Sequence, residues 1–288
     1  QRAGTLALLL FEDPTSDASH INPFFLSMLG SITRACARHG QDLLISFQQL
    51  SDDWHADYAD SKKADGLILL GYGDYLAHRG KLQQLVDQAT PFVRWGAVLP
   101  GQPGLSIGCD NLAGGHQAGS HLLAAGRRRI AFLGDASIHF PEFLDRYRGC
   151  DAALYEAGAS LDPALQVDAE SSEDSGYAAA QELLRRERPF DAVFAASDLI
   201  AIGAMRAFAE RGLRVPEDVA MVGFDDVPPA AWPAYNLTSF RQRVEQMVAE
   251  TVTMLLARID GDESGSPHVV LPGELVIRGS TRRYGAKG

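Results

Sequence analysis

Short apolar runs alternate with amphipathic stretches along nearly the whole chain, the pattern of βαβ units wound around parallel sheets. Thr5 to Phe11 reads as a buried strand. Phe24, Phe25, Met28, Leu29, Ile32 and Ala35 then recur at helical spacing until Gly40 interrupts them, and Asp42 to Phe47 returns as a strand. The same alternation predicts helices over 52–63 and 76–88 and strands over 66–70 and 91–95. In the second half, strands over 129–133, 192–195 and 219–222 are expected between helices over 142–157, 176–186 and 199–211. A last helix, 244–259, precedes a loop at 261–267 and two short strands. No Pro/Gly/Ser-rich linker divides the halves. The expected fold is therefore α/β, two doubly wound parallel-sheet subdomains joined by several chain crossings. Open sheets of this kind bind ligands at the carboxyl ends of their strands, so a cleft there is the expected site.

Composition narrows the function classes. Of 288 residues 46% are hydrophobic and 22% charged, the balance of a soluble globular protein. No apolar run approaches the roughly 20 residues of a membrane span. With 37 acidic against 26 basic residues the net charge is −11, which opposes nucleic-acid binding by these residues themselves. Cys36, Cys109 and Cys150 are an odd number without C-x-x-C spacing, so reduced, buried thiols and a cytoplasmic setting are expected. The start Gln1-Arg2-Ala3-Gly4 lacks both an initiator Met and a signal-peptide pattern, and the expectation is that an upstream piece, either a signal peptide or a domain, is missing.

Several motifs reduce to ordinary structure. Gly104-Leu105-Ser106-Ile107-Gly108 matches G-x-S-x-G, but Ser106 falls inside an apolar strand pattern and the next helix opens only at Asp110-Asn111, so a nucleophile elbow is not expected. Gly71-Tyr72-Gly73 is a truncated G-x-G without a third glycine. His116 and His121 lie five apart on a helix, roughly 140° from one another, and cannot share a metal. Arg127-Arg128-Arg129 reads as a solvated turn after a helix C-terminus rather than a phosphate site. No metal, cofactor or catalytic group is expected.

The strand ends carry more. Val222-Gly223-Phe224-Asp225-Asp226 brings two carboxylates to the end of a strand, and Pro228-Pro229 prevents an immediate helix. Asp110 ends another strand, as a helix cap or a ligand acid, with the cap the commoner role, and Ser197 or Asp198 is an N-cap candidate at a third junction. Arg146 can fork onto ligand oxygens or pair with a neighbouring acid. A carbohydrate requires carboxylate hydrogen bonds to vicinal hydroxyls and an aromatic face over its C–H side, and Asp110, Arg146, Asp225, Phe24 and Phe25 supply such a set.

Asn22-Pro23-Phe24-Phe25, Lys63-Ala64-Asp65-Gly66-Leu67-Ile68, Cys109-Asp110-Asn111, His121-Leu122-Leu123 through Gly126 to Ile130-Ala131, and Arg146-Tyr147-Arg148-Gly149 follow one another in a familiar order. Ser197-Asp198-Leu199-Ile200-Ala201-Ile202-Gly203-Ala204, Gly212 through Val219 into Gly223-Phe224-Asp225-Asp226, and Leu237-Thr238-Ser239-Phe240-Arg241-Gln242 continue it. In order and spacing these segments resemble the LacI/GalR family of bacterial regulators over essentially the whole chain.

The resemblance implies a type I periplasmic-binding-protein-like core with three chain crossings, an N-subdomain over 1–110 plus 243–268 and a C-subdomain over 111–242 plus 269–288. It implies that Phe24 and Phe25 line the first subdomain's wall, that Arg146, Ser197 and Asp225 contact an effector, and that Asp110 stands at the cleft crossing. Phe140-Pro141-Glu142 departs from the polar pair of the purine-sensing branch, which favours a sugar or glycoside, while Glu142 leaves an amine-bearing or larger polar ligand open. The expected protein is a cytoplasmic, non-enzymatic homodimer that reaches operator DNA only through a helix-turn-helix headpiece absent here. Its rivals are a secreted sugar-binding protein of a transport system and, from another class, a hydrolase using Ser106.

Overall fold

The computed structural model describes residues 2–11, 22–70 and 73–282, so Gly71 and Tyr72 of the truncated G-x-G lie outside the described residues. The chain divides into two compact units: residues up to Cys109 with Arg243–Leu271, and Asp110–Gln242 with the residues from Pro272 onward.

The first unit opens with β1 (Thr5–Leu10), buried from Leu6 onward. The helix α1 (Pro23–Arg38) starts where sequence chemistry places it: Asn22 Oδ1 accepts the Phe24 N–H, and Pro23 occupies the first turn, where a missing N–H costs nothing. Its buried face is Phe24, Phe25, Met28, Ile32, Ala35 and Cys36. Gly40, at φ +66°, stops it in the left-handed conformation that glycine adopts without strain. The strands β2 (Asp42–Phe47) and β3 (Gly66–Leu70) flank β1, both parallel to it.

Between them the structure departs from the expected helix over 52–63. Only one wide turn forms, a π-helix at His55–Asp60. Its reason is the placement of two aromatic anchors: Trp54 and Tyr58 both enter the core, and Trp54 Nε1 donates to the Gln48 carbonyl. Lys62, at φ +58°, then ends the turn, and the Lys63 and Ala64 N–H groups both fold back to the Tyr58 carbonyl.

The helix α2 (Tyr75–Asp87), capped by Asp74, and the strands β4 (Phe92–Trp95) and β5 (Leu105–Cys109) follow. Ser106 is fully buried within β5, and its hydroxyl lies 2.6 Å from His268 Nδ1. From Leu105 onward the G-x-S-x-G run is thus a strand, with its serine tied to a neighbouring strand rather than placed on a strand-to-helix turn.

After Cys109 the chain enters the second unit. There it forms α3 (Asn111–Ala124), β6 (Ile130–Leu133), α4 (Pro141–Glu156), β7 (Gln166–Val167), α5 (Glu173–Arg185), β8 (Ala192–Ala195), α6 (Asp198–Glu210), β9 (Ala220–Phe224) and β10 (Thr238–Gln242). It returns to the first unit for α7 (Val244–Ile259) and β11 (His268–Leu271), then crosses once more to supply β12 (Gly273–Val276). The two sheets run β11-β5-β4-β3-β1-β2 and β12-β10-β9-β8-β6-β7. Among the described residues every pairing is parallel except β10 with β12. Asp110 falls to the second unit because it caps α3, and residues 269–271 fall to the first because β11 pairs with β5.

Two helix pairs in the second unit pack at backbone distance. A Cβ on Gly115 of α3 would lie 2.1 Å from the Arg146 carbonyl oxygen of α4, and one on Gly149 would lie 2.0 Å from that of Leu112. A Cβ on Gly203 of α6 would likewise fall 1.9 Å from the Glu173 carbonyl oxygen of α5. Only glycine permits such contact, so these residues fix how closely each helix stands to its neighbour.

Candidate ligand-binding site

The second unit's sheet delivers β6, β8 and β9 in parallel, so their carboxyl ends share one edge. Arg146 of α4 lies there, fully buried. Its Nε donates to Asn111 Oδ1 at 2.9 Å and its Nη1 to the Ala196 carbonyl, just past β8, at 2.6 Å. The guanidinium stands over the Phe224 ring at 3.6 Å and over Phe143 at 5.5 Å. Burying a cation requires such hydrogen bonds and aromatic faces, and the result is a guanidinium held in one plane.

Asp225, next after β9, places Oδ1 3.9 Å from Arg146 Nη2 and accepts from Gln242 Nε2 at 2.9 Å. Its φ is +105° and that of Asp226 is +53°, a left-handed turn on two non-glycine residues, which other contacts must maintain. The two acids part at this turn: the Asp226 carboxylate meets Arg241 Nε at 2.7 Å and Arg278 Nη1 at 2.6 Å. Asp226 is accordingly tied to two arginines, and Asp225 is the acid of the pair that stands beside Arg146.

Ser197 caps α6 through the Ile200 N–H, and its Oγ also accepts from the Ser171 hydroxyl at 2.9 Å. Asp110 caps α3 by accepting from the Ala113 N–H at 2.9 Å and is only partly buried. Glu142, buried, sits in the first turn of α4. Nearby Asp145 has its carboxyl pushed above the usual range, first by burial and then by the charges of Glu142 and Asp110, while Arg148 and Arg146 oppose the shift. Asp110, Glu142, Arg146, Ser197 and Asp225 all belong to the second unit. Phe24 and Phe25 belong to the first, buried at the start of α1 with ring centroids 5.5 Å apart.

Sequence reasoning left Asn111, Ser171, Ser239 and Gln242 out of the site, and read Asp198 only as a possible cap. Asp198 is fully buried, its Oδ1 accepting from the Ser239 hydroxyl at 2.6 Å and its Oδ2 from the Val227 N–H at 2.8 Å. Burial and the Asp225 charge push its carboxyl well above the usual range. Ser239 and Gln242 lie on β10, a strand the hydrophobic pattern did not disclose.

The remaining motifs are structural. His116 meets Glu156 at 3.0 Å and His121 meets Thr281 at 2.7 Å. Arg127 donates to the carbonyls of Asp191 and Pro216, while the Asp191 carboxylate accepts the backbone N–H groups of Arg128 and Arg129. The basic triplet is a loop clamp.

Residues 120–281 match the family described as a periplasmic binding protein-like domain. The chain is 32% identical over 285 residues to the HTH-type transcriptional regulator CelR of Thermobifida fusca, covering 97% of this chain and 82% of that regulator. The chain belongs to the LacI family of transcriptional regulators. The HTH-type transcriptional repressor CytR of Escherichia coli is 29% identical over 264 residues, 91% of this chain and 76% of the repressor. Among solved structures, a CelR–cellobiose complex superposes with a TM-score of 0.85 at 31% identity, over 97% of this chain and 85% of that one. A LacI-family regulatory protein from Chloroflexus aggregans gives 0.82 at 28%, over 96% and 98%. In this LacI-family chain the Arg146 and Asp225 pair thus stands on the fold its regulatory relatives share.

Proposed function

We propose that this chain is the effector-sensing core of a LacI-type regulator, that it binds a sugar or glycoside without altering it, and that binding changes the operator affinity of the full regulator. The observation that carries the reading is the buried Arg146 held in one plane against Phe224, with the Asp225 carboxylate beside it. A fixed donor next to a fixed acceptor suits adjacent hydroxyls on a ring. The cellobiose named for the similar CelR structure supports a sugar over a nucleobase.

Operator contact belongs to a helix-turn-helix segment, the feature in the relatives' names, rather than to these residues with their net charge of −11. Ligand acts by its differential affinity for two states of the core, so operator must alter ligand affinity by the same factor. The regulator works as a cytoplasmic homodimer, in keeping with two-fold operators. Sedimentation of the chain at micromolar concentration tests the dimer.

A thermal-shift screen tests the ligand class, because a molecule that binds only the folded state raises the melting temperature with its concentration. Cellobiose or another sugar should produce a shift. A shift with nucleobases and none with sugars overturns the sugar reading. The transport reading is not favoured, since the similar proteins are regulators. The hydrolase reading places its nucleophile at a fully buried strand serine, and a fluorophosphonate should leave Ser106 unlabelled.

A further inference from the structure

We propose that Asp198, acting through Ser239, is the positioning residue that holds the Asp225–Asp226 turn in its left-handed form and so aims the Asp225 carboxylate. The proposal rests on the reading of Asp225 as an effector contact.

Three contacts form the lock. The Asp226 N–H donates to Ser239 Oγ at 2.9 Å, the Ser239 hydroxyl donates to Asp198 Oδ1 at 2.6 Å, and the Val227 N–H donates to Asp198 Oδ2 at 2.8 Å. Two consecutive backbone N–H groups just beyond Asp225 therefore end, directly or through one hydroxyl, on a single carboxylate. Asp226, at φ +53°, lies in the left-handed region that aspartate tolerates, but Asp225, at φ +105°, lies beyond it, a conformation kept only where the surroundings impose it. The lock is what imposes it here.

Gly223 makes the approach possible. A Cβ at that position would fall 2.2 Å from Asp198 Oδ1 and 2.9 Å from the Leu237 side chain. The glycine of Gly223-Phe224-Asp225-Asp226 thus has a purpose beyond its strand: it admits the carboxylate of α6 against β9. A fully buried carboxylate with two other acids close by is a poor stabiliser, and its use is to specify one geometry. The geometry specified is that of the acid standing beside Arg146.

Amide hydrogen exchange on the ligand-free chain, combined with cellobiose calorimetry, tests this. Ser239→Ala should speed exchange at the Asp226 amide about tenfold, and Asp198→Ala should do so at both Asp226 and Val227. Asp198→Asn keeps one acceptor oxygen and should return protection to Val227. Unchanged exchange at both amides in Asp198→Ala and Ser239→Ala overturns the lock.

In the second arm Asp198→Ala should weaken cellobiose binding about tenfold when Asp225 is intact, but less than about twofold on an Asp225→Asn background, because a residue acting through another loses its effect when that other is removed. Equal losses on both backgrounds overturn the positioning role. If the unaltered chain does not bind cellobiose, the sugar reading is what suffers, and the exchange arm alone decides the lock. Should Asp198→Ala fail to fold, Ser239→Ala carries both arms.

Discussion

The guanidinium carbon of Arg146 stands over the Phe224 ring, 3.6 Å from its centroid. The strand that supplies the ring also supplies, one residue later, the Asp225 carboxylate. Cation and anion are thus both set against the same short piece of backbone.

Asp225→Asn retains an acceptor for Gln242 but loses the charge, and should leave the fold intact while costing about 2 to 5 kcal/mol of sugar binding. Arg146→Lys should act in the same direction, since an ammonium keeps the charge but neither stacks nor forks. Calorimetry with cellobiose checks both, and unchanged affinity in either variant places that residue outside the site.

Gly115→Ala drives a methyl into the Arg146 carbonyl, so the backbone of α3 or α4 must move. A loss of about 1 to 3 kcal/mol in stability is expected. Gly80→Ala, on α2, meets nothing within 4 Å and should stabilise by up to about 1 kcal/mol through helix propensity. Chemical denaturation of the two variants should show opposite signs.

Asp198 titrates above the ordinary carboxylate range in the folded chain, so between that ordinary range and its folded value the native state binds more protons than the unfolded one. Its contribution to stability is present at acid pH and lost as pH rises through the folded value. Asp198→Asn should therefore gain on the parent chain as pH is raised, as followed by denaturant titrations over pH. A constant difference between the two refutes the shift.

His78 behaves in the opposite sense. Burial first, then the Lys81 and Arg94 charges, push its imidazole down from 6.5 to about 4, with Asp74 opposing. Stability is full above 6.5 and is lost as pH falls toward about 4, where the native state must take up a proton it resists. His78→Leu should flatten that acid-side loss.

Burial pushes the Cys36 thiol up to about 11 and the Cys150 thiol up to about 12. Neither forms thiolate at neutral pH. Iodoacetamide should modify neither in the native chain and both after denaturation, which mass spectrometry reads directly.

How much of this was legible depended on where apolar residues fall. α1 and α7 were readable because their buried faces recur at helical spacing, and the central strands because they are apolar throughout. β10 escaped because Thr238-Ser239-Phe240-Arg241-Gln242 carries polar residues at four of five positions, yet Thr238, Ser239 and Gln242 are buried by hydrogen bonds rather than by hydrophobicity. Ser239 and Gln242 were missed with it. The turn over 55–60 escaped because two aromatic anchors four residues apart fit helical spacing as well as a wider turn. The pair Asp225-Asp226 could be recognised as important from its strand-end position. Telling the two acids apart required Arg241 and Arg278, whose proximity no local pattern reveals.

The strands β11 and β12, only four residues each, are the last pieces of both sheets to leave the ribosome. Until residues 268–271 emerge, the β5 edge of the first sheet stays open, although the rest of that sheet has been synthesised. An unpaired strand edge invites the wrong neighbour, so the nascent first unit is exposed to misassociation for the time it takes to make the whole second unit. No single cut of the gene yields either unit complete. Truncation before residue 268 should therefore give aggregation rather than a smaller working protein, and swapping one unit between related regulators would need three splice points, placed near residues 110, 243 and 272.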